Sequence, residues 1–161
     1  MALQMRRRVA FYPCSGTDFE TPLAILNGSV DEVIFCDIKG ATRKIPTGDQ
    51  YPKASFIAGD VREIVETLPE IYALFYRRDS NGEGGSGVFV LGDSFLPLIL
   101  SRFNPAGGII VTDGSNSRGG NFKKMIRRNG LQKHGFKFSP HLDQPYLDSH
   151  SLWIISAVPY S

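Results

Sequence analysis

Apolar positions in this chain fall into short continuous runs separated by turn-forming clusters. Val9-Ala10-Phe11-Tyr12 is closed by Pro13 and a Ser-Gly-Thr-Asp cluster, which predicts a buried strand followed by a loop. The stretch 19–26 predicts a short helix, with Leu23, Ile25 and Leu26 apolar and Asn27-Gly28 as its stop. Pro22 fits its first turn, where a missing N–H leaves no helical bond unmade. Val33 to Cys36, closed by Asp37, predicts a second strand; Ala54 to Ala58, closed by Gly59-Asp60, predicts a third. Val61, Ile64, Val65 and Leu68 then share one helical face, with Asp60 placed as the N-cap and Glu63 three residues later.

Ile71 to Tyr76 predicts a fourth strand, and 77–87 a polar, glycine-rich loop. The pattern over 94–102 predicts a helix with Pro97 near its start. Ile109-Ile110-Val111 predicts a fifth strand after the turn Asn104-Pro105-Ala106-Gly107-Gly108. A basic helix over 122–128 ends at Asn129-Gly130. The β-rich runs 135–139 and 151–158 predict a terminal antiparallel hairpin. Nearly continuous apolar strands alternating with helices indicate a mostly parallel sheet covered on both faces. Right-handed crossovers place the loops after its parallel strands on one edge, where ligands bind in such folds.

Composition narrows the classes. A chain of 161 residues that is 42% hydrophobic fits one domain, 1–161, with a real core. Its net charge of +2 is too small to point to nucleic acid, and Arg6-Arg7-Arg8 is the only concentrated charge. No leader pattern begins the chain, and no apolar stretch approaches the roughly 20 residues of a membrane span. Two cysteines make no disulfide framework, and the three histidines show no ligand spacing, so no metal site is expected. These features point to a cytoplasmic protein with reduced thiols and no membrane contact.

The chemistry-bearing residues lie at the strand ends. The first loop, Tyr12-Pro13-Cys14-Ser15-Gly16-Thr17-Asp18, carries small residues that let a ligand approach the backbone. Asp18 would repel a pyrophosphate there, which favours a cofactor without phosphates over NAD or a nucleoside triphosphate. The same residue also suits a plain helix N-cap. Asp37, twenty-one positions after Gly16, is placed to accept both hydroxyls of a ribose. Asp60 can accept from an adenine amine, or cap the helix that follows it.

In this order the residues resemble the class I S-adenosylmethionine-dependent methyltransferase family, over nearly the whole chain from Val9 to Val158. Phe11 to Asp18 looks like the family's first motif in degenerate form. Gly16 falls on its middle glycine, whereas Tyr12 replaces the acid, Cys14 the first glycine and Asp18 the third. Asn104 to Val111 is similar to the family's loop and fifth strand. The resemblance implies a Rossmann-like three-layer α/β sandwich, mostly parallel with a C-terminal antiparallel hairpin. It also implies an S-adenosylmethionine site built from Tyr12, Cys14, Ser15, Gly16, Asp18, Asp37 and Asp60. Of these, Asp37 falls at the ribose, Asp60 beside adenine and the first turn at the methionine end.

After the fourth strand, where the family meets its methyl acceptor, Asp79 and Glu83 are the candidate catalytic residues. A surface loop of this composition is equally ordinary. Asp113 faces the same edge. Cys14 and Cys36 end neighbouring strands and read as buried thiols rather than a redox pair. Lys123, Lys124, Arg127 and Arg128 read as a solvated face, and Trp153 as core. The expected function is methyl transfer to an unspecified acceptor, either a small molecule or a site completed by a partner protein. The alternative is a methyltransferase-like binding or interaction module that does not catalyse.

Overall fold

The computed structural model describes residues 7–77, 90–91, 95–113, 135–140, 146–147 and 152–159. Strand β1 (Val9–Pro13) is followed by helix α1 (Glu20–Leu26), β2 (Glu32–Asp37) and β3 (Lys53–Ala58). Helix α2 (Val61–Ile64) tightens into a 3-10 turn, Val65–Thr67, before β4 (Ala73–Tyr76). Next come α3 (Leu96–Leu100), β5 (Gly108–Thr112), β6 (Phe136–Pro140), β7 (Tyr146–Leu147) and β8 (Leu152–Pro159).

These strands form one sheet in the order β3-β2-β1-β4-β5-β8-β6, with β7 also pairing β8. The five strands from β3 to β5 run parallel; β8 inserts antiparallel between β5 and β6. The expected fold class is observed, including the closing antiparallel hairpin. The chain leaves β1 toward β2 on one side and returns to β4 on the other, so strand order reverses at β1. That reversal opens the carboxyl edge between the loops after β1 and β4.

Local reasons account for each element. Strands β1, β4 and β5 are buried along their whole length, as continuous apolar runs require when both faces are covered. The edge strand β3 is only partly buried. Leu23 and Leu26 turn the apolar face of α1 inward, with Pro22 in its first turn as expected. Phe19, fully buried, meets Phe35 edge-on with ring centroids 4.9 Å apart, pinning the start of α1 to β2.

Several boundaries differ from the expectation, and the helix read over 61–68 is observed as Val61–Ile64 followed by the 3-10 turn. The fourth strand begins at Ala73 rather than Ile71, because the backbone of Ile71 bonds instead to Arg102 and Asn104. The helix expected over 94–102 is observed as Leu96–Leu100, with Pro97 in its first turn. The expected basic helix over 122–128 lies outside the described residues.

Gly107 and Gly108 are what let β5 enter the sheet. Gly107 has φ +96°, and a Cβ there would sit 2.6 Å from the Ala157 carbonyl oxygen. A Cβ on Gly108 would run into the Tyr72 carbonyl. The paired glycines after Pro105 therefore serve close strand packing. No helix among the described residues is long and apolar enough to cross a membrane.

Candidate functional site

The loops after β1, β2, β3 and β4 are stitched together at the carboxyl edge of the sheet. After β1 the chain turns sharply: Cys14 and Gly16 both take φ 55°, in the left-handed region. Gly16 adopts it freely; Cys14 does so against the steric preference of a side-chain-bearing residue. The turn bonds across to β2, where Ser15 N–H donates to the Cys36 carbonyl at 3.0 Å. Ser15 is itself fully buried.

Asp37 organises this junction. It is 3% exposed at the end of β2. Its Oδ2 accepts from the Gly16 N–H at 2.8 Å, and its Oδ1 from the Lys39 N–H at 3.0 Å. The Asp37 carbonyl accepts from Gly59 N–H at 3.0 Å, which ties in the loop after β3. The acids after the second and third strands thus separate clearly. Asp37 joins the first turn, but Asp60 faces its own helix.

Asp60 is the N-cap of α2, accepting from Arg62 N–H at 2.9 Å. Its carboxylate also pairs with the Arg62 guanidinium, the closest contact being 2.6 Å. That guanidinium and the capping bond hold the Asp60 carboxyl below its ordinary range. Of the two roles open to Asp60, capping is the one with hydrogen bonds to it.

At the other side of the first turn stands an arrangement that the sequence motifs did not single out. The Arg77 guanidinium, just past β4, donates to Asp18 through Nε at 2.6 Å and Nη2 at 2.7 Å. The Tyr12 hydroxyl donates to Asp18 Oδ2 at 2.7 Å. Asp18 therefore does not cap α1, whose N-cap position is Phe19 with no side-chain hydrogen bond. Tyr12 is 1% exposed, packed against Phe75 and Phe35 with ring centroids 4.9 and 5.9 Å away. Burial, together with the Asp18 charge, pushes its phenol far above the ordinary tyrosine range. The hydrogen bonds to Asp18 raise Arg77 as well, so the pair is ionic.

Arg43, from the long β2–β3 loop, clasps the same turn from outside. It donates to the Thr17 carbonyl at 2.6 Å and to both oxygens of Glu20 at 2.5 and 2.6 Å. Its guanidinium also lies over the Phe19 ring, 4.9 Å from the centroid. Neither arginine carried a motif signal. The only hint was Arg77 as the first residue of the polar loop after the fourth strand.

Cys14 and Cys36 are both buried and not joined in a disulfide, in keeping with the thiol expectation. Burial pushes the Cys36 thiol up to about 12, with Cys14 and Asp37 adding to the effect. Trp153 packs partly buried against the core. The candidate catalytic residues Asp79 and Glu83 lie outside the described residues, as do Lys123, Lys124, Arg127 and Arg128. Among the described residues no group of acids, histidines and cysteines could hold a metal.

The site as described offers a buried carboxylate at the β2 end and a turn of closely packed backbone. Beside it, an acid and a base are already paired at the strand-order reversal. Such a set can hold a ligand that carries hydroxyls at one end and a charged head group at the other.

No family model matches the chain, and no curated protein sequence does. Solved structures do. MNMC2 from Aquifex aeolicus superposes with a TM-score of 0.55 at 13% identity, over 98% of this chain and 56% of that one. Spermidine synthase from Thermotoga maritima gives 0.55 at 13% identity, over 96% of this chain and 54% of that one. Precorrin-6y C5,15-methyltransferase from Geobacter metallireducens gives 0.52 at 12% identity, over 97% of this chain and 83% of that one. The chain thus spans a little over half the length of the first two proteins. At this level of identity the likeness is one of fold, and this chain has a class I methyltransferase-like fold.

Proposed function

We propose that this chain binds S-adenosylmethionine at the carboxyl edge of its sheet and transfers its methyl group to an acceptor. The observation that carries this reading is Asp37, a buried carboxylate that reaches from the end of β2 to the Gly16 N–H of the first turn. A carboxylate in this position suits the two hydroxyls of a ribose, and the backbone around Gly16 would lie beside them. At the other end, Asp18 and Arg77 offer one charge of each sign, complementary to the ammonium and carboxylate of an amino-acid head group. The residues present therefore fit the cofactor, with Tyr12 holding Asp18 in orientation.

When bound, S-adenosylmethionine supplies a methyl group on a positively charged sulfur, already activated for transfer. What the protein adds is placement of the two reactants, which supplies much of the rate in such a transfer. Buried Tyr12 keeps its proton throughout and acts as a hydrogen-bond donor, not a base.

One observation favours a second reading, a binding module that does not catalyse. Tyr12, Asp18 and Arg77 already satisfy one another in the region where the head group would lie. A ligand would have to replace those bonds with its own.

Calorimetry with S-adenosylmethionine and S-adenosylhomocysteine separates these cases. Binding of both is expected, weakened about tenfold or more in Asp37→Asn. No binding of either at millimolar concentration would sink both the cofactor and the methyl-transfer claims. Binding without transfer to any of a broad set of oxygen, nitrogen and carbon acceptors would favour the non-catalytic reading.

A further inference from the structure

On the opposite, amino edge of the sheet a cavity of 330 Å³ is lined by Arg7, Arg8, Glu70, Tyr72 and Asn104, among others. Its chemistry differs from that of the carboxyl edge. Arg7 is neutralised by an ion pair with Glu32. Arg8 is not: among the described residues its guanidinium makes no ion pair and no hydrogen bond. It lies instead over the Tyr72 ring, 4.7 Å from the centroid. Stacking on an aromatic face fixes the plane of a guanidinium and leaves its N–H donors around the rim available. The backbone of Arg8 is anchored as well, its N–H donating to Asp31 Oδ2 at 2.8 Å.

A planar, oriented guanidinium with unspent donors on the wall of a cavity is a bidentate receptor for an oxyanion. The remaining walls restrict what the oxyanion is attached to. Asn104 has its Oδ1 committed to the Ala106 N–H at 2.9 Å, so its side-chain amide N–H groups are the ones that can face a ligand. The volume lies at the small end of ligand sites.

We propose that this cavity is a second binding site, for a small phosphorylated molecule whose phosphate sits on Arg8 and whose hydroxyl-bearing end faces Asn104. The site lies at the ends of the strands opposite those that carry Asp37, so it is independent of the cofactor reading. It also gives a role to Arg8 of the basic run Arg6-Arg7-Arg8.

Titration calorimetry with ribose 5-phosphate, inorganic phosphate and ribose tests the proposal, and none of these probes carries an adenine. Ribose 5-phosphate is expected to bind most tightly, inorganic phosphate more weakly and ribose not at all. Arg8→Gln should weaken ribose 5-phosphate about tenfold or more, while Arg8→Lys retains part of the affinity. Excess S-adenosylhomocysteine should not compete. Arg8 is exposed, so Arg8→Gln should fold normally, which a thermal melt confirms. The proposal is overturned if neither phosphate probe binds, or if Arg8→Gln leaves binding unchanged. It is also overturned if a single-stranded oligonucleotide binds far more tightly than ribose 5-phosphate, with a steep salt dependence that Arg8→Gln removes.

Discussion

Arg77 holds Asp18 through two parallel hydrogen bonds, joining the end of β4 to the turn after β1 across the point where strand order reverses. Both side chains are mostly buried, at 16% and 19% exposure, so neither is readily compensated by water when the other is removed. Asp18→Asn or Arg77→Gln is therefore expected to cost about 2 kcal/mol, less than the ~3–5 kcal/mol of a fully buried pair. The double variant should lose clearly less than the sum of the singles, because the second change removes an already orphaned charge. Urea midpoints of the four proteins measure this, and additive losses would show that the pair is not coupled.

Tyr12 makes the same network sensitive to alkali. Unfolded, its phenol titrates at the ordinary value of 10.0; folded, burial and the Asp18 charge keep the proton on to a much higher pH. Above pH 10.0 the unfolded chain therefore binds fewer protons than the folded one. Stability that is fully present below that pH must fall as pH rises past it. Tyr12→Phe should flatten this part of the alkaline stability curve. In a spectroscopic titration of tyrosinate, folded wild type and folded Tyr12→Phe should ionise the same number of phenols, whereas the unfolded chains should differ by one.

The two thiols should be chemically quiet. Burial penalises the Cys36 thiolate and pushes its thiol up to about 12, and Cys14 is likewise buried. Iodoacetamide at neutral pH is expected to modify neither residue in the native protein and both in denaturant. Stoichiometric labelling of the folded chain, read by intact mass, would contradict this.

Among the described glycines, Gly108 leaves the least room for a side chain. Gly108→Ala sets a methyl against the Tyr72 carbonyl and should destabilise by about 2–3 kcal/mol through forced separation of β4 and β5. Thermal or urea unfolding tests this, with Gly135→Ala as a comparison whose Cβ meets nothing within 4 Å but whose φ of +91° still carries strain.

Much of the fold was legible because its strands are short, apolar and closed by turn residues, which are local signals. Val9 to Tyr12, Val33 to Cys36 and Ile109 to Val111 needed no knowledge of their neighbours to be read as strands. Asp60 was legible as a cap for the same reason: its partner is two residues away. Asp37 was readable by its place after the second strand, although the link to Gly16 spans 21 residues.

What the sequence by itself determined, then, is the alternation of buried strands with turns and helices, and the loops in which Asp18, Asp37 and Asp60 would lie. Only the tertiary structure decided which partners Asp18 and Asp37 take. Asp18 could have capped α1, but Arg77, 59 residues further on, draws it across the sheet. Arg43 likewise reaches the first turn from a loop with no motif of its own. Hydrophobic periodicity is set by neighbours along the chain, whereas a side-chain ion pair depends on which strand ends the crossovers bring together. That choice is not written in any local stretch.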